Sequence, residues 1–281
     1  AYEIRNCDWS SDVCSSDLMT NQNTLTRILF AGDIHGNEQH AEWVLRTAAR
    51  EGATHVIAAG DFGFWPHISW GRTFLANVAG LANSLGITLW WVDGNHENHD
   101  MLEDLVAEHG DEHPIAIEAG NLWWIPRGAT VEIAGLTIMG FGGAYSVDWD
   151  TRTPGHSWWA GELITREQVD RLAERREADP RPVDILVTHE APLGKKLTYK
   201  DRIPESVAQR ALVSEIHALV KPALHVAGHH HVRETFVIGD AEVHVVGRDG
   251  MDFESVLVVE VENGRIVTVD GVPFGSSGAA A

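Results

Sequence analysis

The stretch Ile28-Leu29-Phe30-Ala31-Gly32-Asp33-Ile34-His35-Gly36 joins a run of apolar residues to a short polar segment. Four consecutive apolar residues are typical of a strand that is buried on both faces of a parallel sheet. Asp33 and His35 are two residues apart, so in extended backbone their side chains point to the same side. Because ligands of parallel α/β sheets bind at the carboxyl ends of strands, this stretch predicts a binding site directly after the strand.

Four more polar segments follow apolar, strand-like runs further along the chain. They are Gly60-Asp61, Gly94-Asn95-His96-Glu97, Thr188-His189 and Gly228-His229-His230-His231. Glycine in most of these segments permits sharp turns and a close approach of the backbone. Each segment alone has an ordinary explanation, such as a helix N-cap for Asp61 or a turn residue for Asn95. Five such segments at five strand ends predict one shared site instead.

The order of apolar runs and amphipathic stretches predicts an α/β fold. Strands alternate with helices up to about residue 109, which indicates a parallel sheet with both faces covered. Short strands without helices follow at 115–141, then an irregular segment at 142–162 and a charged helix from 165. Two further buried strands enclose another helix, and mostly antiparallel strands end the chain. We expect a four-layer αββα sandwich of two packed mixed sheets, with residues 19–274 in one domain and a disordered tail at 275–281.

Composition limits the kinds of function. The chain has 281 residues, 44% of them hydrophobic and 22% charged, which is typical of a globular protein with a sizeable core. It has no apolar run of about 20 residues, the length that spans a bilayer, so no membrane segment is expected and a cytoplasmic location is predicted. The formal net charge of −20 disfavours broad nucleic-acid binding. A small anionic substrate remains compatible with this charge if bound cations reverse the local field.

The first eighteen residues differ from the rest. Residues 7–18 repeat Ser-Ser-Asp without helical or strand periodicity, and they lack the basic start and apolar run of a secretory signal. They resemble the translation of a short sequencing adapter, so we predict that the native protein starts at Met19. Both cysteines, Cys7 and Cys14, lie in this segment. From Met19 onward, disulfides, thiolate metal sites and a cysteine nucleophile are therefore excluded.

Carboxylates and imidazoles without sulfur suit Mn²⁺, Zn²⁺, Fe or Ni. Asp61 is a carboxylate that could touch two ions at once. The series Gly-Asp-x-His-Gly, Gly-Asp, Gly-Asn-His-Glu, a single His and Gly-His-x-His resembles the calcineurin-like metallophosphoesterase superfamily over residues 29–232. The resemblance implies an αββα sandwich that holds two divalent metal ions. It assigns one ion to Asp33, His35, Asp61 and His231, and the second to Asp61, Asn95, His189 and His229.

His96 resembles the family histidine that stabilises the transition state or protonates the leaving group, a role that suits imidazole near neutral pH. The Ser/Thr protein phosphatases of this superfamily carry an aspartate that orients this histidine, whereas this chain has Phe64 at that position. Glu97 or Asp100 could orient His96 instead. Histidines beside the motifs, such as His99 and His230, are expected to lie at the surface.

The segment 142–159 is predicted to select the substrate, because it is a long irregular connection rich in aromatic and charged residues. Tyr145 and Arg152 are its candidate substrate contacts, and Arg127 is a candidate elsewhere, because a guanidinium matches two phosphate oxygens. The resulting hypothesis is hydrolysis of a small phosphorylated substrate, with monoesters and diesters both open. A Ser/Thr protein phosphatase and a non-catalytic metal-binding interaction module are the alternatives.

Overall fold

The computed structural model describes residues 25–118 and 120–275. Five α-helices are present in these residues, namely α1 (Glu38–Glu51), α2 (Ser69–Ser84), α3 (His99–His109), α4 (Arg166–Ala178) and α5 (Pro204–Val220). The strands are β1 (Leu25–Ala31), β2 (Ala53–Ala58), β3 (Thr88–Trp91), β4 (Ile115–Glu118), β5 (Leu122–Trp124), β6 (Thr130–Ile133), β7 (Leu136–Phe141), β8 (Ile185–Thr188), β9 (Leu224–Ala227), β10 (Glu234–Ile238), β11 (Ala241–Val245), β12 (Val256–Glu262), β13 (Arg265–Val269) and β14 (Val272–Pro273). The predicted head at 1–18 and most of the tail lie outside the described residues, so the domain bounds and the start at Met19 stay predictions.

The strands form two mixed sheets. The first has the order β14-β13-β12-β1-β2-β3-β5-β4, and the second has the order β10-β11-β9-β8-β7-β6. In the first sheet β1, β2, β3 and β5 run parallel, and in the second β7, β8, β9 and β11 run parallel. Antiparallel strands flank each parallel centre. A second sheet is therefore confirmed, but it starts later than the short strands at 115–141 suggested. β4 and β5 still belong to the first sheet, because β5 pairs with β3 and β4 pairs with β5, and β6 is the first strand of the second sheet.

The alternation of side chains along β1 shows how the layers pack. Ile28 and Phe30 belong to the cluster between the two sheets, together with residues of β8 and β9. Leu29 and Ala31 point the other way and pack against α1 and α2. A third cluster joins the outer face of the second sheet to α4 and α5. Both faces of each parallel centre are thus buried, which explains the continuous apolar runs and confirms the αββα sandwich.

Local signals set the ends of several helices. Asn37 and Asn98 cap α1 and α3 by accepting a hydrogen bond from the third residue of each helix. Thr165 and Gln168 form a capping box at α4. The segment 142–162 is not wholly irregular, since it contains two short 3-10 turns. No helix among the described residues is long and apolar enough to cross a membrane.

Candidate metal centre

The five polar segments of the sequence meet at one place. Three follow β1, β2 and β3 of the first sheet, and two follow β8 and β9 of the second. Direct contacts join the two groups, since the backbone amide of His229 donates to Asp33 Oδ1 at 3.0 Å, and His189 Nδ1 lies 2.7 Å from the carbonyl oxygen of Ala59. The facing sheets therefore bring side chains from residues 33 to 231 into a single cluster.

The first part of this cluster consists of Asp33, His35 and His231, whose potential ligand atoms lie within 4.8 Å of one another. His231 Nε2 is 3.0 Å from Asp33 Oδ2, and His35 Nε2 is 3.9 Å from the same oxygen. Asp33 is fully buried, and its Oδ2 accepts no hydrogen bond in spite of these neighbours. The oxygen thus keeps lone pairs that a cation could use.

The second part consists of Asp61, His189 and His229, all buried and again within 4.8 Å by their ligand atoms. His189 Nε2 lies 3.3 Å from Asp61 Oδ2 and 3.1 Å from the side-chain oxygen of Asn95. The amide of Asn95 is oriented by its hydrogen bond to Ser146 Oγ, at 3.0 Å. The Asn95 oxygen therefore faces the same space as the two imidazoles.

Asp61 connects the two parts. Its Oδ1 accepts hydrogen bonds from the backbone amides of Asn95 and His96, at 2.8 and 2.9 Å. Its Oδ2 lies 3.4 Å from His35 Nε2 and 3.3 Å from His189 Nε2, so one oxygen stands between an imidazole of each part. The backbone amides hold the carboxylate in this orientation, which is the arrangement that a bridging ligand requires.

The backbone around the cluster adopts conformations that most residues avoid. Four residues of the cluster have positive φ, namely His35 (53°), Asp61 (45°), His229 (64°) and His231 (55°). Non-glycine residues in this region are uncommon and collect at functional sites. Neighbouring glycines make room, because a Cβ on Gly60 would lie 2.2 Å from His189 Nδ1 and a Cβ on Gly94 would lie 2.2 Å from Asp61 Oδ1.

The electrostatics of the cluster favour positive charge. Burial alone lowers the pKa of His35 and His189, but the carboxylates of Asp61 and Asp33 outweigh burial and raise these pKa values to about 9 and about 10. Burial likewise raises the pKa of Asp61, yet the charge of His189 and the contacts with His35 and His96 hold it well below its usual value. A cluster with this field and with only oxygen and nitrogen donors fits hard or borderline divalent cations.

His96 lies at the edge of the cluster with a third of its side chain exposed and its Nε2 3.8 Å from Asp61 Oδ2. Arg152 Nη2 is 2.7 Å from His96 Nε2, and Arg152 also pairs with Asp148 at 2.7 Å. Burial and the charge of Arg152 lower the pKa of His96 against the opposing effect of Asp61. Arg152, predicted from the sequence as a substrate contact, is thus placed beside the cluster.

The prediction for Arg127 is corrected by its contacts. Its guanidinium donates to Asp93 Oδ2 at 2.7 and 2.9 Å, to three backbone carbonyls between residues 161 and 163, and to the side chain of Gln168. An arginine has five N–H groups, so none remains for a phosphate. Arg127 ties the segment after β3 to the start of α4. Tyr145 is half-buried, its hydroxyl interacts with Trp149, and no contact among the described residues joins it to the cluster.

Other expectations near the motifs are also corrected. Glu97 does not orient His96, because its two oxygens accept hydrogen bonds from the amides of Gly63 and Gly94, at 3.1 and 2.6 Å. Asp100 is exposed in the first turn of α3. His99 and His230 are not surface residues, since both are at most 3% exposed. His99 Nε2 contacts the carbonyl oxygen of Gly94, and His230 Nε2 contacts Glu190 at 2.7 Å.

Asp249 is the main residue that sequence reasoning missed. It follows β11, and its Oδ1 lies 3.0 Å from His35 Nδ1 while its Oδ2 accepts a hydrogen bond from Asn37 at 2.9 Å. A carboxylate on the second ring nitrogen of a ligand histidine fixes the ring and its tautomer. Lys200 is a second missed residue, buried with its ammonium group against the carbonyl of His229. Asp249 lies in a turn of ordinary composition, so only the tertiary structure identifies it.

Comparison with protein families agrees with this geometry. Residues 26–233 match the model described as calcineurin-like phosphoesterase. The chain belongs to this family. Its members are phosphoester hydrolases, and buried clusters of histidine and aspartate like the two described here are typical of their dimetal sites. The chain is accordingly a phosphoester hydrolase by family. A search of curated proteins finds no significant match.

Solved structures share the fold at low sequence identity. A dimetal phosphatase from Danio rerio is 12% identical with a TM-score of 0.52, and the match covers 89% of this chain and 99% of that one. The protein TT1561 of Thermus thermophilus is 15% identical with a TM-score of 0.51, covering 80% of this chain and 90% of that one. At these identities the likeness establishes the fold alone.

Proposed function

We propose that the chain hydrolyses the ester bond of a small phosphorylated substrate at a dinuclear metal centre. One ion would be held by Asp33, His35, Asp61 and His231, and the other by Asp61, Asn95, His189 and His229. The observation that carries the proposal is the position of Asp61 Oδ2 at 3.4 and 3.3 Å from imidazole nitrogens of both parts of the cluster. A single-metal site would need no such shared oxygen.

Two divalent cations bound here would supply Lewis acidity and a water of lowered pKa. The protein contributes the rest. Backbone amides fix Asp61, Ser146 orients the amide of Asn95, and Asp249 orients His35. Burial of the acidic ligands removes competing water and strengthens the field that holds cations. Mn²⁺, Zn²⁺, Fe and Ni all suit this donor set.

Arg152 and His96 are proposed to act together on the substrate. A guanidinium only donates hydrogen bonds, so at 2.7 Å His96 Nε2 accepts and its proton lies on Nδ1. While this contact persists, His96 does not donate a proton through Nε2. We assign His96 the role of holding Arg152, whose remaining N–H groups would bind phosphoryl oxygens as charge develops. Proton donation to the leaving group would require Arg152 to move away first.

Kinetics of two variants test this division of roles. Arg152→Gln should lower kcat/KM by about 10- to 150-fold, since a hydrogen bond to a charged group contributes about 1.5–3 kcal/mol. His96→Ala should slow the hydrolysis of nitrophenyl and alkyl phosphates by similar factors. Arg46→Gln, an exposed arginine on α1, is the matched control. A much larger loss for the alkyl phosphate in His96→Ala would show that His96 protonates the leaving group, against this assignment.

A substrate panel decides between the remaining alternatives. Nitrophenyl phosphate, bis-nitrophenyl phosphate and a phosphopeptide should be assayed with Mn²⁺, Zn²⁺ and Mg²⁺. We expect the small esters to be hydrolysed faster than the phosphopeptide. Phe64 is buried against Trp91 and offers no carboxylate to His96, which supports this order over a protein phosphatase. Full metal loading without turnover of any ester would favour a non-catalytic binding module and refute the proposed function.

A further inference from the structure

The cluster is exposed to solvent at three neighbouring imidazoles, whose ring centroids lie 5.3 and 5.4 Å apart around His35. Asp33, Asp61, His189 and His229 are buried, whereas the side chains of His35, His96 and His231 are 21%, 33% and 39% exposed. A substrate therefore reaches the cluster past these three imidazoles. Whatever lies beside His35 and His96 will contact the part of the substrate that projects away from the phosphoryl group.

Two exposed tryptophans flank this opening. Trp70 is 52% exposed and Trp149 is 47% exposed, which is a large apolar area for two side chains in segments next to a polar site. Their ring neighbours are Trp65 and Trp158. With the nearby His67 and His156 they form a surface that we call the aromatic rim, composed of Trp65, His67, Trp70, Trp149, His156 and Trp158.

The first half of the aromatic rim lies against the first motif. The rings of Trp65 and Trp70 are 5.0 Å apart. Both pack onto Gly36, the residue after His35, because a Cβ on Gly36 would lie 2.6 Å from the ring of Trp65 and 3.1 Å from that of Trp70. These indoles are thus held beside His35, with half of the Trp70 side chain left open to solvent.

The second half lies against Arg152. Trp149 and Trp158 have ring centroids 6.0 Å apart, and Trp149 begins the 3-10 turn Trp149–Thr151, which Arg152 directly follows. Arg152 in turn contacts His96. The rings of His67 and His156 lie 6.3 Å apart, and each of these histidines is two residues from a tryptophan of one half, Trp65 or Trp158. The aromatic rim therefore runs from the residue next to His35 to the arginine next to His96.

We infer that the aromatic rim binds a flat heteroaromatic ring carried by the alcohol part of the substrate, so that the substrate is an ester of nucleotide size. The inference rests on the proposed function, because it takes Arg152 as the phosphoryl contact. Exposed indole rings can stack on any base, and stacking of one base contributes about 1–3 kcal/mol to the binding free energy. A net charge of −20 disfavours a long nucleic acid, which leaves a mononucleotide or a similarly small ester.

The test compares two ligands that share sugar and phosphate and differ only in the base. The phosphonate analogues of adenosine 5′-monophosphate and of ribose 5-phosphate, with CH₂ in place of the ester oxygen, are titrated calorimetrically into the Mn²⁺-loaded protein. The adenosine compound should bind about 5- to 150-fold more tightly, the range expected for one stacked base. Equal affinities would overturn the inference.

Variants separate stacking from a structural role of the aromatic rim. Trp70→Leu and Trp149→Leu should lower the affinity ratio, and the corresponding Phe variants should retain most of it. Phe253→Leu is the control, since Phe253 is 70% exposed and contacts Trp43 of α1 instead of the aromatic rim. Equal weakening of both ligands in the Leu variants would mean that the tryptophans only support the fold, against the inference.

Turnover of the natural esters distinguishes a failure of this inference from a failure of the proposed function. If adenosine 5′-monophosphate and ribose 5-phosphate are hydrolysed with equal kcat/KM, the hydrolase stands and the inference fails. If the adenosine phosphonate binds selectively but the fully metal-loaded protein turns over no ester, the inference stands and the proposed function fails.

Discussion

Replacement of Asp249 by alanine should weaken one metal site and spare the other. Asp249 accepts the Nδ1 proton of His35 at 3.0 Å, so Nε2, which faces Asp61 and Asp33, is the ring nitrogen that would lose its proton to bind a metal ion. The side chain of Asp249 is only 17% exposed, so water replaces this contact poorly. Loss of such a partner typically reduces metal affinity about 10- to 100-fold, or about 1.4–2.7 kcal/mol.

The assay is a competition titration of the metal-free protein with Mn²⁺ and a chelator, which resolves two dissociation constants. In Asp249→Ala the constant of the site containing His35 should rise by about 10- to 100-fold, and that of the site containing His189 should stay within about twofold. Asp249→Asn keeps an oxygen acceptor and should fall in between. Asp252→Asn removes the same charge three residues away, on a residue that is exposed, and serves as the control. Equal weakening of both sites, or of neither, would refute the positioning role.

Contacts outside the cluster or at its border lead to three further expected outcomes. Arg127→Met should lower the free energy of unfolding by about 3–5 kcal/mol, because Asp93 would remain buried without its partner. KM should not change. A raised KM with unchanged stability would show that Arg127 contacts the substrate after all. Gly60→Ala should reduce metal content at the site of His189, since the added Cβ would lie 2.2 Å from its ring; normal content by elemental analysis would contradict this close packing. Burial holds the pKa of His225 well below its usual value, so between that lowered value and about pH 6.5 the unfolded chain binds a proton that the folded chain excludes. The free energy of unfolding should therefore fall as the pH drops below about 6.5. In urea titrations, His225→Gln should reduce the slope of this free energy against pH by about one proton. An unchanged slope would exclude His225 as a cause of acid lability.

The sequence predicts the fold and the cluster because both depend on short-range patterns. The apolar run before Asp33 is continuous since both faces of β1 are buried. The five polar segments could be assigned to one site because the carboxyl ends of parallel strands share an edge. The family resemblance supplied the division into two ligand sets, and in the structure Asp61 lies between the two parts of the cluster.

Long-range partners could not be predicted in the same way. Asp249 is 214 residues from His35, in a turn whose residues are common in turns everywhere. The residue type indicates only that a guanidinium binds oxygen atoms. It does not indicate that the partners of Arg127 are Asp93 and backbone carbonyls, so the prediction for Arg127 was wrong. His99 was expected at the surface because no local pattern indicates that its ring lies against the carbonyl of Gly94.

The central claim is that Asp61 joins two metal ions in one centre, and elemental analysis tests it most directly. Wild-type protein loaded with Mn²⁺ and freed of excess metal should contain two ions per chain. Asp61→Ala should lose affinity for both ions, whereas His35→Ala should lose mainly one. A single ion in the wild-type protein, or loss of only one ion in Asp61→Ala, would contradict the dinuclear account.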